Sequence, residues 1–204
     1  MGLLRQVFGP SKEEIWSQLS HEIGAEYGEG GFFKNGKVVL SHREWEITLD
    51  TYTVHTGKST IIYTRMRAPY VNRDGFRFNI YRKNIFSGIG KLFGMKDIEV
   101  GDSFFDDQFI IQGDPEHLVA SLLTNGMIRQ LIQGQKDIHF QVKDDDGWFK
   151  EKFPEGVDEL YFEVVGVITD RERLKSLFDL FALVLDELCR LGSAYETDPN
   201  VKLE

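Results

Sequence analysis

Three segments of the chain alternate apolar and polar residues with a period of two, and this alternation restricts the fold more than any other feature. The segments are 44–55, 59–67 and 76–82. Such alternation is typical of β-strands that bury one face. Turns containing Gly57 and Gly75 separate the segments, so we expect sequential strands of an antiparallel meander.

The segment HTGKST, residues 55–60, ends like a nucleotide-binding P-loop. That loop needs an earlier glycine, whose backbone approaches the phosphates, at the position that Tyr52 occupies here. Strand-like sequence also stands on both sides, so we interpret HTGKST as a hairpin turn and expect no specific ATP or GTP binding through Lys58. Before this turn the apolar residues move from odd-numbered to even-numbered positions, which predicts a bulge near Asp50 and Thr51.

Helix start signals stand at three places. Ser11 and Glu14 have capping-box spacing, and Asp114-Pro115 and Asp170 predict the starts of a middle helix and a long closing helix. The closing helix carries an apolar stripe so wide that we expect burial against the sheet rather than a dimer seam. The stripe consists of Leu174, Leu177, Phe178, Leu180, Phe181, Val184, Leu185 and Leu188.

The second half of the chain adds strands to these helices. We expect a strand at 105–112, a break in the middle helix near Asn125, a hairpin turn at Asp146-Gly147 and a strand at 160–168. The predicted fold class is therefore α+β: an antiparallel β meander with an N-terminal helix, a middle helix and a long C-terminal helix packed on the sheet.

Length and composition predict one folded unit over residues 1–195, followed by a flexible tail at 196–204. The alternative is two lobes, a helix with a β meander at 11–96 and a βαβββα arrangement at 97–192. No apolar run is long enough to cross a bilayer, no signal peptide is recognisable, and Cys189 is the single cysteine. We therefore expect a cytoplasmic protein, with peripheral contact to a membrane as the alternative.

The charges are distributed unevenly. Residues 58–96 contain nine basic residues and one acidic residue, whereas the whole chain has a net charge of −9. A basic segment of this kind suits an acidic protein or an anionic membrane surface. Nucleic acid is disfavoured as a partner because the rest of the chain would repel a polyanion. A homodimer is the remaining partner that we consider.

Because alternate residues of a strand lie on the same face, part of this basic segment is expected to lie on one surface. Tyr63, Arg65 and Arg67 share one face of their strand, and Arg77 and Tyr81 share one face of the next. If the two strands pair, these side chains form a Tyr/Arg surface for an anion or an anionic partner. The alternative is that the arginines pair with the acids of the chain itself.

An apolar segment with interspersed glycines, NIFSGIGKLFGMK at 84–96, follows directly. It is too short to span a bilayer. We expect Phe86, Ile89, Leu92 and Phe93 to act as a lid or docking surface, or to pack as a short helix on the sheet.

Metal and catalytic motifs are weak. His42, Glu44 and Glu46 follow each other with the period of a strand face, and such residues can bind a metal, but a solvated face is the interpretation we favour. No cofactor is predicted, and no catalytic residue is assigned.

The run DIEVGDSFFDDQFIIQGDPEHLVASLLTNGMIRQLI, followed by IHFQVKDDDGWF and a Leu-rich closing helix, resembles a family of uncharacterised bacterial proteins. The shared pattern is an acidic Phe-x-x-x-Phe strand, an Asp-led helix ending in Leu-Leu-Thr, a hairpin and a closing helix. The resemblance covers about residues 60–190 and implies no activity.

These observations predict a non-enzymatic binding or interaction module that uses the Arg/Tyr hairpin face and the apolar segment beside it. The alternative is a hydrolase-like enzyme whose site is assembled from dispersed residues. Buried titratable groups with perturbed pKa values would favour the enzyme. An exposed Arg/Tyr face beside an apolar patch would favour the module.

Overall fold

The computed structural model describes residues 9–28, 36–83, 97–144 and 153–203. They form one eight-stranded antiparallel sheet with helices packed on it, which confirms the predicted α+β class. The strands are β1 (Glu26–Gly28), β2 (Lys37–His42), β3 (Trp45–Thr56), β4 (Ser59–Val71), β5 (Arg77–Arg82), β6 (Phe109–Asp114), β7 (His139–Lys143) and β8 (Val157–Val165). The helices are α1 (Lys12–Ile23), α2 (Ser103–Gln108), α3 (Glu116–Leu123), α4 (Gly126–Gln133) and α5 (Arg171–Arg190).

The first four strands form the predicted meander, but β5 does not join it. The sheet order is β1-β2-β3-β4-β8-β7-β5-β6. β8 pairs with β4 from Tyr63↔Val165 to Val71↔Val157, and β7 pairs with β8. The expected pairing of the two arginine-bearing strands, β4 and β5, is therefore wrong. Residues 157–162 of β8 are all buried, and a strand buried on both faces is favoured at the centre of a sheet.

β3 and β4 form one long hairpin that turns at Gly57, as predicted. Every residue of this hairpin is described and its register runs without a break, so the predicted bulge near Asp50 and Thr51 is wrong. The apolar residues of β3 move from odd-numbered to even-numbered positions because the later ones lie on the other face of the strand. Leu49 points towards the helices, whereas Tyr52 lies on the opposite side of the same strand.

The helices cover one face of the sheet, which we call the core face. Every residue of the predicted stripe on α5 is buried within the single chain, which confirms packing on the sheet. The rings of Phe181 on α5 and Phe140 on β7 are 5.4 Å apart between centroids. Trp16 of α1 donates its indole N–H to the carbonyl oxygen of Ile168 at 3.0 Å, which ties the N-terminal helix to the start of α5.

Local capping signals determine most helix starts. Ser11 and Glu14 form the predicted capping box of α1, and Asp170 caps α5 by accepting a hydrogen bond from the N–H of Arg173. The middle helix is broken as predicted, because the side chain of Asn125 caps α4.

The start of the middle helix differs from the prediction. Asp114 is the last residue of β6, and Pro115 stands at the N-cap of α3 without a side-chain hydrogen bond. The predicted strand at 105–112 also begins as a helix. Asp102 accepts a hydrogen bond from the N–H of Phe105, so this cap starts α2, and β6 begins only at Phe109.

Residues 196–203, which we expected to be flexible, contact the rest of the protein. Glu196 pairs with Arg43 at 3.0 Å, and Lys37 donates from Nζ to the carbonyl oxygen of Leu203 at 3.2 Å. Pro199 is buried. The mobility of this tail stays a prediction.

Some predicted features lie outside the described residues. They are the Asp146-Gly147 turn and the apolar segment 84–96. Among the helices that the structure describes, none has the length and hydropathy needed to cross a bilayer.

Candidate functional site

The face of the sheet opposite the helices carries polar and charged side chains, and many of them are buried. In β4 and β8 even-numbered residues such as Met66 and Phe162 point to the core face, so the odd-numbered residues lie on the other side. We call that side the polar face. Its central members are Asp50, Tyr52, Tyr63, Arg65, Arg67, Asn79, Tyr81, His139, Gln141, Glu159, Tyr161 and Glu163.

Asp50 binds two arginines near the middle of the polar face. Arg65 donates from Nε to Oδ1 at 2.5 Å and from Nη2 to Oδ2 at 3.0 Å, and Arg67 donates from Nη2 to Oδ2 at 2.6 Å. Only 1% of the Arg67 side chain and 9% of the Asp50 side chain are exposed. Two-pronged contacts between arginine and carboxylate are among the strong hydrogen bonds of proteins. Arg65 and Arg67 thus lie in internal ion pairs, and their binding of an external anion stays a prediction.

Glu163 is the centre of a second network. Its Oε2 accepts hydrogen bonds from the hydroxyls of Tyr52 at 2.7 Å and Tyr161 at 2.8 Å. Its Oε1 lies 3.4 Å from Nδ1 of His139, and Nε2 of that ring is 3.0 Å from Oδ1 of Asn79. The five side chains come from β3, β5, β7 and β8, so the network joins strands that are distant in sequence.

The network displaces the pKa values of its members. Burial alone would raise the pKa of Glu163, but hydrogen bonds from His139, Tyr52 and Tyr161 and the charge of Lys143 lower it to about 2. Burial and the Glu163 carboxylate raise the pKa of both tyrosine hydroxyls well above the ordinary value. At neutral pH the carboxylate is therefore charged and the phenols are neutral.

Arg77 and Tyr81 lie on the polar face, as parity predicted, but β8 and β7 lie between their strand and that of Arg65. Arg77 is 3.7 Å from Asp158 and 3.8 Å from Asp144. Tyr81 is almost fully buried, with its ring edge against His139. Tyr63 is half-buried and stacks on Tyr52 with 5.0 Å between ring centroids.

Two further arginines of the basic segment have internal contacts. Arg82 donates to the carbonyl oxygens of Gln133 and Gln135 at the end of α4 and lies over the Phe109 ring. Arg73 lies over the Tyr195 ring at 5.3 Å. A basic sequence segment thus becomes a set of contacts inside the fold.

The candidate metal residues do not form a site. His42 ends β2 and binds Asp186 of α5 at 3.0 Å, while Glu44 lies in the turn and Glu46 is exposed on β3. The predicted common strand face is wrong because the chain turns after His42. Among the described residues, no group of three or more His, Cys, Asp or Glu side chains could hold a metal.

Exposed apolar side chains gather at one end of β4 and β8. Val165 is 67% exposed, Ile62 43% and Val167 38%. The N–H of Gly166 donates to the carbonyl oxygen of Ile62 at 2.8 Å, and the hydroxyl of Thr64 binds both Gly166 and Ile168. We call Ile62, Tyr63, Val165 and Val167 the outer surface; it is an end of the sheet rather than one face, since Tyr63 and Val165 lie on the polar face and Ile62 lies on the core-face side. The other apolar candidates, Phe86, Ile89, Leu92 and Phe93, lie outside the described residues.

Sequence reasoning missed the acidic members of the polar face. Asp50 was noted only for a bulge, although a hairpin turning at Gly57 already places it opposite Arg65. Glu159 and Glu163 alternate with Leu160 and Phe162, and this alternation in an apolar strand was the available signal. Their neighbours could not be known because the positions of β7 and β8 depend on contacts distant in sequence.

Comparison with protein-family models, with curated proteins and with solved structures finds no match to this chain.

Proposed function

We propose that this chain is a non-enzymatic binding or interaction module that engages a partner through the outer surface. One observation carries the proposal: Glu163 accepts hydrogen bonds from Tyr52 and Tyr161 on the polar face, and the pKa values of these three groups lie far from neutrality. Because Arg65 and Arg67 of the hairpin face named from the sequence are buried in internal ion pairs, the module uses the apolar end of the same hairpin as its contact region.

Buried groups with displaced pKa values are the sign that we expected of an enzyme, but the direction in which these pKa values are displaced weighs against acid–base catalysis on the polar face. General acids and bases work best when their pKa is near the working pH. A carboxylate with a pKa of about 2, such as Glu163, is a weak base, and phenols with raised pKa values are weak acids. This reasoning favours a structural role for the network over the hydrolase-like alternative.

The outer surface has features of a docking site. Hydrogen bonds around Gly166 hold it in place, and fixed groups lose little entropy when they bind. Between residues 51 and 64, Lys58 is the only Asp, Glu, Lys or Arg residue. The partner that fits best is a protein with an uncharged, apolar contact surface.

The test compares two double variants. Ile62→Asp with Val165→Asp should abolish co-purification of the partner from cells that express the chain, while circular dichroism shows an intact fold. Phe104→Asp with Met127→Asp is the matched control, because these side chains are 68% and 55% exposed at other positions. A partner that is retained by the first variant, or lost equally from both, would contradict the proposal.

Salt separates this proposal from the anionic partners suggested by the sequence. Apolar docking should persist between about 0.1 M and 1 M salt, whereas binding to an acidic protein or an anionic membrane surface should weaken as the Debye length falls from about 10 Å to about 3 Å. Sizing chromatography of the same variants shows whether the partner is a second copy of the chain.

A pH titration of Glu163 tests the alternative that the protein is an enzyme. Carbon-13 NMR of the labelled side-chain carboxyl should report a pKa of about 2. A measured pKa near neutrality would support acid–base chemistry at the polar face.

A further inference from the structure

Arg43 has a backbone conformation that its residue type disfavours. It is the first residue of the two-residue turn between β2 and β3, and its φ is 53°. A positive φ in such a turn favours glycine, because a Cβ atom crowds the backbone there. Among the described residues other than glycine, only Asn200 shares a positive φ with Arg43, and asparagine tolerates it more readily. A strained residue of this kind suggests a role for its side chain.

The side chain of Arg43 connects the turn to two other parts of the chain. Its Nε lies 2.9 Å from Oδ1 of Asp186 on α5, and its Nη1 donates to Oε2 of Glu196 at 3.0 Å. The same Oδ1 atom of Asp186 lies 3.0 Å from Nε2 of His42. Glycine at position 43 would relieve the backbone but would remove both ion pairs, so the side chain offsets the strain of the turn.

The C-terminal segment, residues 195–203, contacts the sheet near both of its ends. The N–H of Tyr195 donates to the carbonyl oxygen of Val71 at 3.2 Å, and Nζ of Lys37 donates to the carbonyl oxygen of Leu203 at 3.2 Å. Val71 also pairs with β8, so the segment takes the place of a neighbouring strand at the other edge of β4.

We propose that Arg43 is a latch and that residues 195–203 are a strap, which the latch holds closed over the edge of β4 at Val71. Within the described part of the chain, the pair of Arg43 and Glu196 is the only ion pair between the strap and the rest of the protein. The two side chains are 43% and 47% exposed, so salt ions can reach them. Opening the strap frees the carbonyl oxygen of Val71, and the latch therefore controls access to this strand edge.

Amide hydrogen exchange of the strap tests the latch. Arg43→Gly should raise the exchange rate of the Tyr195 amide about two- to fivefold, because one partly exposed ion pair is lost. The fold should stay intact, since glycine suits the backbone of this turn. Glu196→Gln should give a similar factor, and the double variant should give no further increase. Arg190→Gln is the control, because Arg190 pairs with Glu187 on α5.

Salt provides a second measurement. Raising the salt concentration from about 0.1 M to 1 M screens exposed charges, so exchange at Tyr195 should rise in the wild type but not in Arg43→Gly. Equal exchange rates in the wild type and Arg43→Gly, or additive effects of the two substitutions, would overturn the proposal. Exchange at Tyr195 as fast as in an unstructured peptide would also overturn it, because the strap would then be open while the latch is intact.

Discussion

At the scale of single residues, Asp50, Arg65 and Glu163 alternate in charge along one row of the polar face, and His139 follows Glu163 in that row. Asp50, Arg65, Glu163 and His139 are successive register partners on β3, β4, β8 and β7. Cross-strand pairs of opposite charge stabilise a sheet. Arg65 also lies 5.0 Å above the ring of Tyr52, so the guanidinium contacts the hydroxyl-bearing ring that binds Glu163.

Asp50→Asn should destabilise the protein strongly. The substitution removes the charge that Arg65 and Arg67 share and leaves two cations in a buried environment. Breaking a buried ion pair in this way typically costs about 3 to 5 kcal/mol of the free energy of unfolding. Urea unfolding measures the loss, with Asp74→Asn in an exposed turn as the control. A change below about 1 kcal/mol would mean that the cluster is well solvated.

Glu163 should give the protein an acid-sensitive stability. Its pKa of about 2 lies below the ordinary 4.5. As the pH falls, this carboxylate is therefore protonated at a higher pH in the unfolded state than in the folded state. The stabilisation is therefore complete above pH 4.5 and is lost as the pH falls towards 2. The difference between the two pKa values corresponds to roughly 3 kcal/mol of the free energy of unfolding.

The isosteric variant Glu163→Gln should be less stable than the wild type at pH 7 and should lack this part of the pH dependence. Unfolding free energies measured from pH 7 down to pH 2 give the comparison. Glu155→Gln, at an exposed position, controls for the loss of one carboxylate. Parallel profiles for the wild type and Glu163→Gln would show that the network contributes nothing to the acid response.

At the scale of secondary structure, α5 is the element whose packing depends most on its apolar stripe. Phe181→Ala should lower the free energy of unfolding by about 3 to 5 kcal/mol, the usual cost of emptying a packed aromatic position. The ring is fully buried and packs on Phe140. Asp179→Ala, exposed on the same helix, is the control for helix propensity. An unchanged thermal unfolding temperature for Phe181→Ala would contradict the packing of α5 on the sheet.

Elements determined by neighbouring residues could be predicted from the sequence. Ser11 and Glu14 satisfy each other across one helical turn, and Asp170 caps α5 in the same local way. Residues 105–108 of α2 were predicted as the start of a strand because Phe105 and Phe109 favour strands, whereas the cap at Asp102 starts a helix there. Parity correctly placed Tyr63, Arg65 and Arg67 on one face, because alternation is a property of each strand alone.

At the scale of the whole molecule, the uneven charges of the sequence are brought together by the fold. The arginines of the basic segment meet acids from both sides of it in the chain: Asp50 precedes the segment, and Asp144, Asp158 and Glu163 follow it. The position of β8 brings two of these acids, Asp158 and Glu163, to the arginines. Sequence patterns could not predict the position of β8, since it pairs with residues of β4 that precede it in the chain by about 90 residues or more.

The same topology predicts that the two halves named from the sequence cannot fold separately. β5 belongs to the first half, but both of its neighbours, β6 and β7, come from the second. β4 loses β8 if the chain is divided after Lys96, and Trp16 loses its hydrogen bond to Ile168. Each half would therefore expose apolar surface and unpaired backbone groups that the intact sheet satisfies.

Residues 1–96 and 97–204, produced as separate chains, should each give poorly dispersed amide NMR spectra. Mixing them should restore dispersion, because β4 and β8 can pair again between the fragments. The intact chain should unfold in one transition, with fluorescence and far-ultraviolet circular dichroism giving the same midpoint. A native-like spectrum from either fragment alone, or two separate transitions in the intact chain, would instead establish two lobes. One cooperative transition follows if β8 joins both halves into a single sheet whose parts are stable only together.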